Sequence, residues 1–251
     1  MITVNNILED LKYLKLNASY NKALEILRSE TSEEVKKIIY AIINSEVKQK
    51  EENTKLYNVR IAGFPYLKTF EDFDFEFQPT INEEQIRSIA NSNFYERATN
   101  IAFIGSPGVG KTHLAIATGI TVAKQRVSVY FIKFNKLIRN LLTAFEEGKL
   151  EAKLKVYNKY KLLVIDEIGF NELTYTEAKL FFQLVDLRYE KRSTIYTSNI
   201  PFERWIDILG KDEMITRAIL DRILHHSYLF NIVGNSYRIK DKMRIEKKEN
   251  E

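Results

Sequence analysis

The chain has 251 residues, 45% of them apolar, and a formal net charge of +4. That length suits one α/β domain of ordinary size together with a small additional module. The absence of cysteine excludes disulfides and thiolate metal sites. No apolar run reaches the ~18 residues of a membrane span, and the N-terminus lacks the pattern of a signal peptide. We therefore expect a soluble, cytoplasmic protein with no membrane partner, and the mild positive charge is compatible with nucleic acid without indicating it.

Residues 1–62 are predicted to form a small N-terminal helical module. Apolar residues recur there at helical spacing, and no proline interrupts the stretch. Ser32 precedes two glutamates, which is typical of a helix N-cap. The pattern indicates two or three helices.

Residues 63–99 are predicted to be a linker into the core. The stretch AGFPYLKTFEDFDFEFQP combines Gly63, Pro65 and Pro79 with a dense run of phenylalanines and has no helical period. We expect these aromatic side chains to be buried against the neighbouring domain.

Residues 100–240 alternate between strands and helices, which predicts a parallel sheet covered on both faces. Short apolar strands are expected at residues 100–105, 127–134, 161–166, 193–199 and 227–233. Helical segments are expected at residues 111–125, 135–160 and 174–192, the last opened by a capping box of Thr174 and Glu177. Residues 241–251 form a charged tail.

A glycine-rich loop follows the first of these strands and precedes a helix. Its sequence GSPGVGKT fits G-x-x-x-x-G-K-[ST] in the strand-loop-helix setting that this phosphate-binding motif requires. Backbone N–H groups and the helix N-terminus would surround phosphate oxygens, Lys111 would reach the outer phosphates, and the Thr112 hydroxyl would bind Mg²⁺. The alternative is a glycine-rich turn with a chance lysine. The candidate nucleotide-binding residues are Gly105, Ser106, Pro107, Gly108, Val109, Gly110, Lys111, Thr112 and His113.

Two acidic residues stand at the end of the buried strand LLVIDE. Asp166 would hold Mg²⁺ together with Thr112, and Glu167 is the natural base for a hydrolytic water. Alone, such a pair is more often a helix cap or a surface turn. With the phosphate loop upstream, it favours hydrolysis over transfer to a metabolite.

Asn199 ends another predicted strand, TIYTSN. Its amide could bond the γ-phosphate and position the attacking water. It could equally be a turn residue before Pro201.

These motifs together resemble the IstB-like family of AAA+ ATPases, helpers of insertion-sequence transposition that are related to DnaC-type helicase loaders. The resemblance rests on FPYLKTFEDFDF, FYERATNIAFIGSPGVGKTHLAIA, LLVIDEIG, TSNIPFERW and LDRILHHSYLFNIVGNSYRIK, in that order. LKYLKLNASYNKALE is similar as well, although the family often has Pro-Gly where Asn17 and Ala18 stand.

The resemblance implies an AAA+ P-loop NTPase core of the α/β class with a five-stranded parallel sheet. In that fold, the strand before Asn199 lies between the strands of the phosphate loop and of Asp166, and Asn199 is the first sensor residue. It also implies ATP and Mg²⁺ as cofactors and a homo-oligomer with ATP between subunits. Few residues follow the last strand, so no full C-terminal lid domain is expected. Arg238 is the one second-sensor candidate.

The family resemblance also assigns a role to Arg222. It stands at the position of the arginine that reaches a neighbouring subunit's ATP, where a planar cation stabilises charge on the γ-phosphate. Arg217 is the alternative finger. An intramolecular pair with Asp221 or another acid would leave Arg222 without that role.

A basic segment spans Lys133 to Lys161, with eight basic residues against three acidic ones. The simplest interpretation is a solvated helical face. The resemblance places this segment toward the channel of an AAA+ assembly, where contacts with DNA phosphates would be independent of base sequence and sensitive to salt. The N-terminal module would dock a transposase or a neighbouring subunit, or merely pack.

Three functions remain open on the sequence. The first is an ATP-dependent regulator of DNA transposition that assembles on DNA and recruits or stimulates a transposase. The second is a helicase loader with the same ATPase core. The third is a P-loop kinase of a small metabolite, which predicts activity as a monomer and no response to DNA.

The adjacent histidines His225 and His226 suggest a metal site at first sight. On a helix, however, adjacent side chains point about 100° apart, and two ligands normally come from i and i+4 positions. The sequence therefore predicts that these histidines pack or cap where a helix meets the last strand.

Overall fold

The computed structural model describes residues 4–28 and 32–240, so the predicted tail 241–251 lies outside the described residues. The chain divides into two compact units, Met1–Tyr57 and Asn58–Glu251. Within the described ranges, no helix is long and apolar enough to cross a membrane. The predicted division into 1–62, 63–99 and 100–240 stays a prediction.

The first unit consists of helices. They are α1 (Val4–Leu14), α2 (Asn17–Arg28) and α3 (Glu33–Ile61), the last of which continues into the second unit. Ile7, Leu11 and Leu27 form its small buried core. The Ser32 hydroxyl accepts a hydrogen bond from the Val35 amide at 3.3 Å, as expected of the predicted N-cap.

The second unit contains the predicted five-stranded parallel sheet. Its strands are β1 (Asn100–Gly105), β2 (Val129–Lys133), β3 (Leu162–Ile168), β4 (Ser193–Ser198) and β5 (Ser227–Ile232). They lie side by side in the order β2-β3-β4-β1-β5, all parallel. β4 therefore lies between the strands of the phosphate loop and of Asp166, which confirms the implied order.

Helices cover both faces of this sheet and enclose two apolar cores. They are α4 (Glu83–Asn91), α5 (Lys111–Lys124), α6 (Phe134–Glu146), α7 (Leu150–Asn158), α8 (Tyr175–Arg188), α9 (Trp205–Ile208) and α10 (Glu213–Leu224). One core contains α4 and α5, and the other contains α6 to α10. The stretch 135–160, expected to be helical throughout, is two helices because Gly148 (φ +68°) ends the first of them.

The aromatic run before the core is buried in part. Phe70 is 4% exposed, and Phe64, Phe73 and Phe75 are partly buried against the core that contains α4 and α5, whereas Tyr66 is 44% exposed. The same region also contains helix α4, which the sequence pattern did not predict. Its N-cap is Asn82, whose side chain accepts from the Gln85 amide at 2.9 Å. The aromatic run thus packs against the core of the second unit.

Candidate nucleotide-binding site

A cavity of about 240 Å³ opens at the carboxyl ends of β1, β3 and β4. This is the edge where open parallel α/β sheets bind ligands. The structure brings most of the predicted site residues together in its lining: Pro107, Gly108, Val109, Gly110, Lys111, Thr112, His113, Glu167 and Asn199. Gly105 and Ser106 adjoin it through their carbonyl contacts with Lys111.

The phosphate loop requires glycine at Gly108 and Gly110, where the backbone is left-handed and space is short. Gly108 has φ +85°, and a Cβ atom there would lie 2.0 Å from the Ser236 hydroxyl oxygen. Gly110 has φ +101°, and its Cβ would lie 2.4 Å from the ring of Phe73. Any larger residue would strain the backbone and displace a neighbour. The loop leads directly into α5, whose N-terminus favours an anion at this position.

Lys111 is the buried cation of the cavity, with 6% of its surface exposed. Its Nζ donates to the carbonyl oxygens of Gly105 at 2.8 Å and Ser106 at 2.7 Å. Burial lowers the pKa of Lys111 to about 8, and the carboxylate of Asp166 opposes that shift. Because the amine is held within its own loop, it needs no large movement to meet a phosphate group.

Asp166 is not itself a lining residue: it is 1% exposed and lies behind Thr112 and Thr197, which do line the cavity. Its Oδ1 accepts from the hydroxyls of Thr112 and Thr197, each at 2.7 Å. Its Oδ2 is buried and has no hydrogen-bond partner among the described residues. Burial raises the pKa of this carboxyl above its usual value, which the two hydroxyl donors only partly offset. An unpartnered carboxylate oxygen beside a threonine hydroxyl is a hard oxygen donor set that fits Mg²⁺.

Glu167 has a strained backbone. It is a non-glycine residue at φ +64°, where the register between β3 and β4 shifts. Its amide donates to the Thr197 hydroxyl at 2.9 Å. Such outliers persist where the surrounding structure imposes them, often at functional sites. Here the irregularity within β3 places Glu167 in the lining of the cavity.

Lys133 is a functional-site residue that the sequence motifs missed. Its Nζ lies 2.8 Å from Oε2 of Glu167, and this contact raises the pKa of the lysine. Lys133 is the last residue of β2 and stands in register with Asp166 on β3. Only the strand order and register, not any motif, could have indicated that contact.

His113 contacts the linker as well as the cavity. Its Nε2 lies 2.7 Å from the carbonyl oxygen of Thr69, so this nitrogen carries the proton that is donated. Its ring packs edge-on against Phe73 at 5.1 Å. Burial lowers the pKa of His113, which favours the neutral ring. Through these contacts, His113 connects α5 to the linker segment 63–99.

The linker, the C-terminal turn, Phe170 after β3 and Thr197 on β4 supply the rest of the cavity. The sequence motifs did not indicate these lining residues: Tyr66, Lys68, Asp72, Phe73, Asp74, Gln78, Phe170, Thr197 and Tyr237. Arg238, the second-sensor candidate, is among the lining residues too. The turn is held in place by the Tyr237 amide, which donates to the Gly108 carbonyl at 2.9 Å, and by an ion pair of Lys240 with Asp74.

Arg222 is not among the residues that line this cavity. Its Nε donates to Oδ1 of Asp186 at 2.7 Å, and its guanidinium lies 4.8 Å from the centre of the Phe182 ring. The acid partner is thus Asp186 on α8, not the adjacent Asp221. Arg217 on the same helix is 78% exposed and pairs with Glu213 at 2.5 Å. Within one chain, neither arginine reaches the phosphate loop.

The sheet order, the phosphate loop and the Thr112–Asp166 pair define a P-loop NTPase with the AAA+ fold. Residues 8–245 match the family described as IstB-like ATP binding protein. A relative from Bacillus thuringiensis subsp. berliner, named for ATP binding and for insertion sequence IS232, is 46% identical over 234 residues. The match covers 92% of this chain and 93% of the relative. The chain belongs to the IstB-like ATP-binding protein family.

Solved structures agree with this fold. DnaA from Aquifex aeolicus with bound AMPPCP aligns with a TM-score of 0.57 at 21% identity, over 75% of this chain and 57% of that one. The DnaC helicase loader aligns with a TM-score of 0.50 at 29% identity, over 60% of this chain and 88% of that one. Both comparisons support the AAA+ core, and the insertion-sequence relative covers far more of the chain.

Proposed function

We propose that this protein hydrolyses ATP, assembles with ATP on DNA, and recruits or stimulates a partner transposase in the cytoplasm. One observation carries the proposal: Lys111, Thr112 and Glu167 line one cavity, and the Thr112 hydroxyl donates to the buried Asp166 beside it. The chain is also similar over nearly its full length to a protein of an insertion sequence. An ATP-binding helper of transposition is therefore the function that the site and the family support best.

In this proposal the chain's own residues have separate roles. The loop amides and Lys111 bind the phosphates and stabilise charge that develops on them. Glu167 accepts a proton from the attacking water, and the Asn199 amide orients that water against the γ-phosphate. Thr112 and Asp166 would hold Mg²⁺, which supplies charge neutralisation at the β- and γ-phosphates when bound.

Arg222 has a role in this proposal only in an assembly. A planar guanidinium from a second copy would stabilise the charge that develops on the γ-phosphate. Since Arg222 does not line its own cavity, a subunit-shared site is the arrangement that gives it a function. Arg217, also outside the cavity lining, is the alternative.

DNA contact is proposed for α6, α7 and their ends. Exposed basic side chains there include Lys136, Arg139, Lys149, Lys155 and Lys159. The count of free charges is smaller than the sequence indicates, because Lys133 pairs with Glu167, Lys149 with Glu147 and Lys161 with Glu96. The remaining cations suit DNA phosphates without base recognition.

The experiment that tests this function measures ATP hydrolysis and assembly together. Purified protein is mixed with ATP and with or without duplex DNA, and assembly is followed by sedimentation. A candidate transposase is then added. We expect DNA to increase both hydrolysis and assembly, and the transposase to be bound or stimulated only in the presence of ATP. A monomeric enzyme indifferent to DNA would contradict the proposal and favour a metabolite kinase.

Variants identify the surfaces involved. Lys111→Ala should abolish nucleotide binding, and Glu167→Gln should bind ATP, hydrolyse it slowly and trap the assembly. Lys136→Ala with Lys155→Ala should weaken DNA stimulation and flatten its salt dependence. Lys211→Ala, an exposed lysine that is paired with Glu172, is the matched control.

A helicase loader is the second candidate, favoured by the similarity to the DnaC helicase loader. The two functions share an ATPase core and differ in the protein that is docked. Binding of a replicative helicase, with no effect on the transposase, would decide for the loader.

A further inference from the structure

The two adjacent histidines do not lie within a helix. α10 ends at Leu224, His225 is its C-cap, and His226 stands in the turn before β5. The histidines were predicted to pack or cap, and the structure places His225 alone at the cap position. However, the 100° separation of neighbouring helical side chains does not apply in a turn. The two imidazole rings lie with their centres 4.0 Å apart.

A carboxylate approaches both rings from another element. Glu190 follows α8 and holds the left-handed conformation at φ +54°. Its Oε1 lies 3.8 Å from Nδ1 of His225 and 3.8 Å from Nε2 of His226. In the described ranges, these three residues are the one group of three or more His, Asp or Glu whose potential ligand atoms all lie within 4.8 Å of one another.

These distances suit a small transition-metal ion. Bond lengths of about 2.0–2.2 Å place two tetrahedral ligands about 3.3 Å apart, so the two pairs of Glu190 with a histidine would each close by about half an ångström. The ligand atoms of the two histidines lie within 4.8 Å of one another and would also have to approach. All three side chains are about half exposed, at 49%, 52% and 54%, and can make that adjustment. Two imidazoles and a carboxylate are ligands for zinc-type ions, and they leave a fourth position open.

We propose that Glu190, His225 and His226 form a surface site for a divalent ion of the zinc class. The site is separate from the nucleotide cavity and does not rest on the proposed function. The rest of the chain offers little competition, because it has no cysteine and one further histidine, His113, whose Nε2 contacts the Thr69 carbonyl. Oxygen ligands at Asp166 remain the main alternative location for an added ion.

Tyr189 links this site to the proposed arginine finger. Its hydroxyl lies 2.7 Å from Nδ1 of His225, and its ring centre lies 5.9 Å from the Arg222 guanidinium. Nδ1 cannot bond the tyrosine hydroxyl and a metal ion at the same time. Loading the site therefore releases the Tyr189 hydroxyl, and Tyr189→Phe should tighten metal binding because it removes that competitor.

Cobalt is the probe for the experiment, because tetrahedral Co²⁺ absorbs visible light far more strongly than octahedral Co²⁺. Full-length protein without a histidine tag is titrated with Co²⁺, followed by displacement with Zn²⁺. We expect one strongly absorbing ion per chain. His225→Ala, His226→Ala and Glu190→Gln should each weaken binding at least tenfold, as expected when one of three protein ligands is lost.

Two further variants serve as controls for the cobalt titration. Glu203→Gln removes another exposed carboxylate and should leave the titration unchanged, as should Asp166→Asn, which alters the candidate magnesium ligand. Nucleotide binding by the histidine and glutamate variants, and a cooperative melting transition of Asp166→Asn, show that each variant is folded. The proposal is overturned if wild-type protein shows no tetrahedral cobalt spectrum, or if folded His225→Ala/His226→Ala protein binds cobalt as tightly as wild type.

Discussion

Lys133 Nζ lies 2.8 Å from Oε2 of Glu167, so the proposed catalytic base forms an ion pair with the end of the neighbouring strand. The side chains are 54% and 33% exposed, and an ion pair of that exposure contributes at most about 1 kcal/mol. The pair engages one of the two carboxylate oxygens that could accept a proton from a hydrolytic water. The ion pair therefore weakly restrains the Glu167 carboxylate from acting as the base.

Lys133→Met should therefore increase basal ATP hydrolysis. The expected gain is up to about fivefold, the rate equivalent of about 1 kcal/mol. Steady-state hydrolysis without DNA measures it. Lys136→Met on the first turn of α6 is the control, and the Glu167→Gln background should abolish the effect. A slower Lys133→Met enzyme would instead mean that the lysine positions Glu167 for catalysis.

Nucleotide binding should take up protons because the pKa of Lys111 is lowered to about 8 in the nucleotide-free protein. Bound phosphate favours the charged amine, so this pKa rises on binding. At pH 8 about half a proton per ATP should be taken up, and affinity should fall as the pH rises above about 8. Calorimetry with a non-hydrolysable ATP analogue, in two buffers of different ionisation enthalpy, measures the uptake. Lys111→Arg should bind without it, because a guanidinium stays protonated.

Asp166→Asn should stabilise the nucleotide-free protein and destroy its response to Mg²⁺ and ATP. Burial raises the pKa of Asp166, so its stabilising contribution is complete below the usual pKa of an aspartate and is lost as the pH rises through the folded value. The asparagine keeps both hydroxyl contacts through Oδ1 and carries no charge. We expect a melting temperature about 2–4 °C higher at pH 8, equivalent to about 1 kcal/mol, and a smaller difference at pH 5. An unchanged or lower melting temperature at pH 8 would show that the charge of Asp166 does not destabilise the nucleotide-free protein.

The strands and the phosphate loop were predictable because their signals are local. Continuous apolar runs mark strands buried on both faces, as at 100–105, and glycine spacing marks a loop that only glycine can form. The capping box was also local, and the structure contains both of its hydrogen bonds between Thr174 and Glu177. The break at Gly148 was missed because apolar periodicity continues across it.

The contacts between distant elements could not be predicted in this way. Lys133 reaches Glu167 through strand register, Asp186 reaches Arg222 through the packing of α8 on α10, and Glu190 reaches the histidines from a turn. No periodicity or motif encodes these pairs. Side chains of neighbouring helical residues point apart, but α10 ends at Leu224, so that rule does not separate His225 from His226.

Two complementary variants test whether Arg222 acts on a neighbouring subunit. Arg222→Ala should lower hydrolysis in the assembled state by about a thousandfold, because the charge that develops on the γ-phosphate loses its partner. Lys111→Ala should be inactive because it cannot bind ATP, yet it retains Arg222. Mixing the two inactive proteins should restore part of the activity, since some interfaces then join an intact phosphate loop to an intact arginine.

The same mixture discriminates between the two candidate fingers. Arg217→Ala is the matched control on the same helix, with its own partner in Glu213. If Arg217→Ala is the inactive variant and regains activity with Lys111→Ala, the finger is Arg217. Asp186→Asn should lower activity less than Arg222→Ala does, because the ring of Phe182 still contacts the guanidinium after the ion pair is lost. Activity of Arg222→Ala alone at the wild-type rate, measured under conditions where sedimentation shows full assembly, would eliminate Arg222 as the finger.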